Sequence, residues 1–336
     1  MQMDFQQLVA AAADLSANPH KVPLVADRFP NILDEIDKVL RSPFIHFNPF
    51  GSRVGRGTQQ YGMLASPHRN KWAICGNRSG KSLSFIYEDV ADCNLLQPIT
   101  LAPSTRFEKP ISMITVSDNE ELAIRLQREV LVEQVLGTDQ QGFMWNFIED
   151  GCIWNEDGGF KEQTLKWANG SRWQFKYSSQ KRRSFQMMRL NKVHMDEEQP
   201  RDIYSECRAR VVDLNGYFAG GFTPISDEKK GIPWLYEHLY VKRAEKNIEF
   251  WNWSIYDNPF LSDSARVSYL NELEEDERDV RAYGLFVPMN VRLALPAAAL
   301  RRMEDLLLEP ELVELELGEN LQVLCTPSHG GLSDEE

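Results

Sequence analysis

The 336-residue sequence lacks the marks of several large protein classes. Its five cysteines, Cys75, Cys93, Cys152, Cys207 and Cys325, form no CxxC pair and accompany no histidine cluster, which argues against a zinc site or a disulfide framework. That usage makes a reducing cytoplasm the expected compartment. No apolar run approaches membrane-spanning length, and Leu8 to Ala13, flanked by the acid Asp4, is too short for a signal peptide. No internal repeat is evident. Basic residues are in deficit: 37 Lys and Arg face 50 Asp and Glu, a net charge of −13 that argues at first against a nucleic-acid partner. What is present is globular, since 42% apolar and 10% aromatic residues supply a core for one large or two medium domains.

The run Cys75-Gly76-Asn77-Arg78-Ser79-Gly80-Lys81-Ser82 reads as a phosphate-gripping loop between a strand and a helix. Lys71 to Cys75 is a short apolar strand candidate, and Leu83, Ile86, Tyr87 and Val90 follow at helical spacing. Backbone N–H groups of a tight glycine turn and of the next helix N-terminus surround a β-phosphate, and Gly80 keeps that approach clear. Lys81 supplies a mobile charge for the β- and γ-phosphates, and the Ser82 hydroxyl ligates Mg²⁺. The pattern departs from the general form at one point: Cys75 stands where the first glycine belongs, and Gly76 comes one residue late. The plain alternative is an ordinary glycine turn with a solvated lysine.

A second strand candidate, Asn191 to Met195, ends in Asp196-Glu197-Glu198. Asp196 is placed to hold Mg²⁺ and Glu197 to polarise an attacking water behind the γ-phosphate. Adjacent carboxylates at a strand end also occur as a solvated turn.

Together these residues resemble the large terminase subunit of tailed phages, the ATPase that packages DNA into procapsids. Gly76 to Ser82 looks like its Walker A loop, including the arginine within it. Asp196 to Pro200, followed by Ile203, Tyr204, Glu206 and Arg210, looks like the Walker B strand and the helix after it. Phe222-Thr223-Pro224-Ile225 resembles the coupling motif, and Tyr256 to Leu261 with Arg281-Ala282-Tyr283-Gly284 resembles the end of the ATPase region, so that residues 55 to 290 are covered. The resemblance implies an α/β P-loop NTPase fold of the ASCE, RecA-like kind, with a mostly parallel sheet, flanking helices and β-hairpin insertions. It implies ATP and Mg²⁺ as cofactors, with Gly76, Asn77, Arg78, Ser79, Gly80, Lys81 and Ser82 around the nucleotide. Catalytic roles fall to Glu197, to Arg78 as a charge stabiliser, and to Arg210, which reads equally as a solvated helical charge. Thr223 is the coupling residue. Gln60, beside Gln59 in a polar segment, is the candidate adenine reader, and a surface role is the alternative. Implied partners are double-stranded DNA, a portal protein, a small terminase subunit and further copies in a ring, as a pentamer, in the host cytoplasm and transiently at the procapsid portal. No membrane is involved.

A local basic stripe answers part of the charge objection. Between Lys161 and Lys192 lie Lys166, Arg172, Lys176, Lys181, Arg182, Arg183 and Arg189, interleaved with Trp167, Trp173, Phe175, Tyr177 and Phe185. Arg172, Lys176, Lys181, Arg182 and Arg183 are the candidate DNA contacts; the alternative is a twisted hairpin with solvated cations and some aromatics in the core. The expected organisation is an N-terminal helical arm and linker (1–54), the ATPase core (55–260) and a C-terminal helical segment (261–336). Its helices run Asp4 to Leu15, Ile32 to Leu40, Ser82 to Cys93 and Glu120 to Val135, with strands near Trp72, Ile111 to Val116, Val193, Tyr217 and Phe250. Leu295 to Glu309 reads as a helix and Glu311 to Cys325 as a hairpin before an acidic tail. In the family a metal-dependent nuclease domain would follow, so the expectation is a motor without the nuclease, which sits on a separate chain or is absent. A helicase-like P-loop enzyme and a non-hydrolysing nucleotide-binding module are the other two classes.

Overall fold

The computed structural model describes residues 5–23, 25, 30–49, 58–225 and 234–286. The chain divides into two compact units, Met1–Pro288 and Met289–Glu336. The second unit lies outside the described residues, and with it the expected helix Leu295 to Glu309, the hairpin and the acidic tail. Most of the expected linker before residue 58 lies outside them too.

Among the described residues of the first unit nine strands follow in chain order: β1 Asn70–Cys75, β2 Ser112–Ser117, β3 Trp154–Asn155, β4 Gly159–Phe160, β5 Thr164–Lys166, β6 Arg172–Tyr177, β7 Lys192–Asp196, β8 Tyr217–Phe222 and β9 Glu249–Trp253. Seven of them form one sheet in the order β5-β6-β2-β7-β8-β1-β9, and β3 pairs with β4 as a small antiparallel hairpin. Every neighbouring pair in the large sheet is parallel except β5 with β6 at the edge. Crossover helices cover both faces, so β1 and β8 are buried along their whole length; β8 reads as an apolar run, and β1 does so after Asn70 and Lys71. This is the P-loop NTPase arrangement, a mostly parallel sheet flanked by helices.

Alternating side chains feed two cores. Ala73, Cys75, Met113 and Ala219 point to one face, beneath helix Lys81–Cys93 with Phe85, Ile86 and Val90. Trp72, Ile74, Ile114, Val193 and Phe218 point to the other, beneath helix Arg201–Val212 with Ile203, Tyr204, Cys207 and Val211. Each fully buried aromatic here contributes roughly 1.5–3 kcal/mol relative to exposure. The N-terminal helices Phe5–Ala17 and Pro30–Arg41 add Leu8, Ala12, Leu15, Ile36 and Val39 to the first core.

One local feature departs from the sequence reading. The helix expected over Glu120 to Val135 is α-helical only at Glu120–Arg125, capped by the Asn119 side chain, and continues as a π-helix over Leu126–Leu136. The wider turn brings Leu131, Val132, Val135 and Leu136 all into the core. Helices Asp263–Asn271 and Glu275–Tyr283 belong to the same compact unit as the sheet, which runs to Pro288.

Candidate nucleotide site

The carboxyl ends of β1, β7 and β8 converge, with β8 between the other two. At the tip of β1 the chain turns through Gly76 to Gly80 into helix Lys81–Cys93. Gly80 takes a left-handed conformation (φ 80°) at the helix N-cap, which only glycine adopts without strain. Arg78 (φ 58°) and Glu197 (φ 71°) sit in the same region without that freedom, a strain of about 1–3 kcal/mol each. Such strain concentrates where function demands a fixed backbone.

The side chains of the two motifs meet. Lys81 Nζ donates to Glu197 Oε1 and, at 3.3 Å, to the Gly221 carbonyl. Gly221 is glycine because a Cβ there would overlap the stem of Lys81 and the Phe85 ring. Burial alone would lower the pKa of the Lys81 ammonium, but Glu197 and Asp196 outweigh it and raise it, so the cation persists. Ser82 Oγ donates to Asp196 Oδ1 at 3.0 Å, which sets the two oxygens expected on Mg²⁺ side by side. Glu197 Oε2 accepts from the backbone N–H of Thr223 at 3.0 Å, and the Thr223 hydroxyl donates to Asn77 Oδ1 at 3.0 Å. Glu197, Thr223 and the loop residue Asn77 therefore form one hydrogen-bonded chain.

The residues fit a nucleotide with its cation. The Ser79 hydroxyl is buried inside the loop without a hydrogen-bond partner, and Ser82 with Asp196 supplies the hard oxygen donors that Mg²⁺ prefers alongside phosphate. Among the described residues no cluster of three or more His, Cys, Asp or Glu could hold a metal without such a ligand.

Other expected residues fall into place unevenly. Of the two glutamines, Gln60 is buried and Gln59 half-buried; Gln60 Nε2 donates to Ser84 Oγ and, at 3.4 Å, to the Gly80 carbonyl, so its amide rests on the loop's own helix. The Arg78 side chain is exposed at the loop, whose backbone there accepts from Asn258 Nδ2 at 2.8 Å. Arg210 is not brought to the site: its carbonyl accepts from Leu190 N just before β7, the end of that strand opposite Asp196, and its guanidinium pairs with Glu206 at 3.0 Å. In the basic stripe, Trp167, Trp173, Phe175 and Phe185 are core. Arg172 pairs with Glu149 at 2.6 Å and Arg182 with Glu206 at 2.7 Å. Lys181 and Arg183 are exposed and Lys176 is half-buried.

The structure adds residues that the sequence did not single out for the loop. Asn77 N donates to the Arg281 carbonyl at 2.6 Å, Asn77 Nδ2 to Tyr269 Oη at 3.0 Å, and Trp253 Nε1 to the Ser79 carbonyl at 2.9 Å. Gly76 is glycine because a Cβ would overlap the Ala282 carbonyl, and Gly284 (φ 67°) because one would lie within 2.5 Å of the Cys75 backbone. Close approach by the segment around Ala282 thus explains the displaced glycine. Cys75 itself is fully buried, and burial pushes its thiol far above the ordinary range.

Beneath the other half of helix Lys81–Cys93 lies a buried ionic cluster. Glu88 meets Lys71, Arg106 (2.5 Å) and Lys192 (3.1 Å). Lys192 also meets Asp89 and Asp92, both at 2.7 Å, and His194 Nδ1 lies 2.7 Å from Asp89. Burial alone would raise the Glu88 carboxyl, but Lys192, Lys71 and Arg106 hold it well below the usual carboxylate range. For Lys71 burial wins over Glu88 and lowers its pKa to about 8.

No protein-family model matches the sequence, and no curated protein matches it either. Solved structures do. The large terminase from a thermophilic bacteriophage superposes with a TM-score of 0.51 at 16% identity over 71% of this chain and 54% of its own. The same terminase in complex with ATP-gamma-S gives 0.50 at 15% identity, over 71% of this chain and 53% of its own. The chain thus spans about half the length of these two structures.

Proposed function

We propose, from a fold shared with a phage large terminase over most of the described unit, that this chain is an ATP-hydrolysing motor subunit that moves double-stranded viral DNA into a procapsid. The observation that carries the reading is the joint placement of Lys81, Ser82, Asp196, Glu197 and Thr223 at three adjacent strand tips, joined by direct hydrogen bonds. The similar terminase of the thermophilic phage has been solved in complex with ATP-gamma-S, which supports ATP as the nucleotide.

In this reading Gly76 to Gly80 and the N-terminus of helix Lys81–Cys93 hold the phosphates, and Lys81 moves from Glu197 to the β- and γ-phosphate oxygens. Ser82 and Asp196 would hold Mg²⁺, which when bound neutralises phosphate charge. Glu197, released from Lys81 but still held by the Thr223 N–H, orients a water and accepts its proton. Thr223 reports the position of Glu197 to Asn77, and Asn77 passes it to Tyr269. Arg78, exposed at the loop, is available to developing charge on the γ-phosphate. Arg210, remote from this chain's own loop, is available to a neighbouring copy in a ring, proposed as a pentamer. Residues 55–260 form the ATPase core in this scheme; portal protein and small terminase subunit are the proposed partners, in the host cytoplasm and at the procapsid portal.

Steady-state ATP hydrolysis with and without duplex DNA tests the reading. Glu197→Gln should lower turnover about a hundred- to ten-thousand-fold while ATP binding persists. No turnover by the wild-type chain under any oligomeric condition would leave a non-hydrolysing module instead.

A further inference from the structure

A second group of cations, outside the expected stripe, lies beside the segment that follows Glu197. Arg201 opens helix Arg201–Val212, which also carries Arg208; His238 sits in the π-helix Tyr236–Tyr240, and Lys242, Arg243 and Lys246 follow in the next turn. Lys246 Nζ lies 2.9 Å from His238 Nε2, and Arg201 Nη2 lies 3.4 Å from His238 Nδ1. A neutral imidazole has one lone pair to offer two donors, and a protonated one has none. One cation therefore always faces an N–H.

Among the described residues no carboxylate forms an ion pair with either cation, although Glu245 attracts Lys246 from further away. Asp202, Glu237 and Glu245 are close in sequence, yet among the described residues none of the five Arg and Lys side chains forms an ion pair, whereas Arg172, Arg182, Arg189 and Arg210 all do. Burial, then Lys246, Arg201 and Lys242, depress the pKa of His238. Arg201, Lys242 and Arg243 are exposed and Lys246 is half-buried, so an incoming anion reaches them.

We propose that Arg201, His238, Lys242 and Lys246 form a phosphate-binding face for the backbone of double-stranded DNA. The proposal rests on the motor reading for its choice of polyanion. Lysines on an exposed turn act as point charges that neutralise phosphates without reading bases, which suits a partner moved past regardless of sequence. The face also touches the catalytic segment. Trp234, whose ring centroid is 5.6 Å from that of His238, donates through Nε1 to the Gln199 carbonyl at 2.9 Å, and Gln199 Nε2 donates to the Asp196 carbonyl at 3.0 Å. Phosphate drawn onto Arg201 and His238 would act on the residues between Glu197 and Arg201.

The test is binding of a fluorescent random-sequence duplex to the full chain, without nucleotide, across a salt series, alongside thermal denaturation as a folding control. Lys242→Gln/Lys246→Gln should weaken binding about tenfold or more and reduce the log–log salt slope by about one unit per lysine. Lys181→Gln/Arg183→Gln, in the expected stripe, should change both by less. Arg201→Lys, which keeps the charge, should bind close to wild type. The opposite ranking of the two double variants would overturn the proposal and return the duplex to the stripe. Equal competition by polyglutamate at the same salt would overturn it in favour of an acidic protein partner. A wild-type chain that hydrolyses ATP but does not bind duplex would overturn it and leave the ATPase reading standing; one that binds duplex here but never hydrolyses ATP would support it and sink the motor.

Discussion

The two halves of helix Lys81–Cys93 meet charge in opposite ways. At Glu88, Asp89 and Asp92 every carboxylate is enclosed and faces Lys71, Arg106, Lys192 or His194 from neighbouring strands and loops. At Lys81 the paired carboxylate, Glu197, keeps 47% of its side chain exposed. A buried ion has no water to fall back on, so its partners must stay; an exposed one can exchange partners for solvent at little cost. The enclosed end ties the helix to the starts of β1 and β7. The open end leaves Lys81 and Glu197 able to part, as the proposed phosphate role of Lys81 requires.

Substitutions at each end sharpen or break this contrast. Lys192→Met leaves Glu88, Asp89 and Asp92 short of their shared cation and should destabilise the fold by about 3–5 kcal/mol in urea unfolding; a loss under about 1 kcal/mol would show that the cluster is not held by charge. Lys81→Met keeps the aliphatic stem and leaves Glu197 to solvent. It should cost the fold about 1 kcal/mol or less, yet weaken ATP binding roughly ten- to a hundredfold in a titration, the worth of a charge-assisted hydrogen bond. Lys71→Met should cost less than Lys192→Met, because burial already disfavours the Lys71 charge. With its folded pKa lowered to about 8, Lys71 releases its proton sooner in the folded chain than in the unfolded one. Between pH 8 and the ordinary lysine range the unfolded chain binds more protons, so this group makes stability rise with pH. Melting curves of Lys71→Met at pH 8 and pH 9.5 should show that rise reduced. Tyr269→Phe, the smallest change, removes one hydrogen bond to Asn77 and should lower stability by about 0.5–1.5 kcal/mol, with a larger relative effect on turnover than on ATP affinity.

The strand–loop–helix at Cys75 to Ser82, the acidic tip of β7 and the Thr223 turn were legible in the sequence because each is contiguous: a few neighbouring residues carry the whole signal. The strands at Val193, Tyr217 and Phe250 were legible for the same reason. Partners from far along the chain were not. Nothing in the order of letters places Tyr269 on Asn77, or tells that Lys71 and Lys192, ordinary lysines at strand starts, lie fully enclosed. The basic stripe shows the same limit from the other side. Counting cations between Lys161 and Lys192 cannot see Glu149 and Glu206, which come from other elements to pair with Arg172 and Arg182. The unpaired cations near His238 are scattered over two segments, so no window of sequence reveals them. The π-helix at Leu126–Leu136 escaped because its hydrophobic spacing is close enough to an α-helix to read as one.

The close approach of residues 281–284 to the Cys75–Gly80 turn has a consequence for the order in which the protein is made. Gly76 and Asn77 donate their N–H groups to the Trp253 and Arg281 carbonyls, the Arg78 and Ser79 carbonyls accept from the Asn258 and Trp253 side chains, and Gly284 lies against Cys75. All of these emerge from the ribosome long after the loop they shape. A nascent chain halted before Gly284 is thus expected to carry every letter of the phosphate-binding signature and still fail to retain ATP, so that nucleotide capture marks the moment synthesis of this unit is complete.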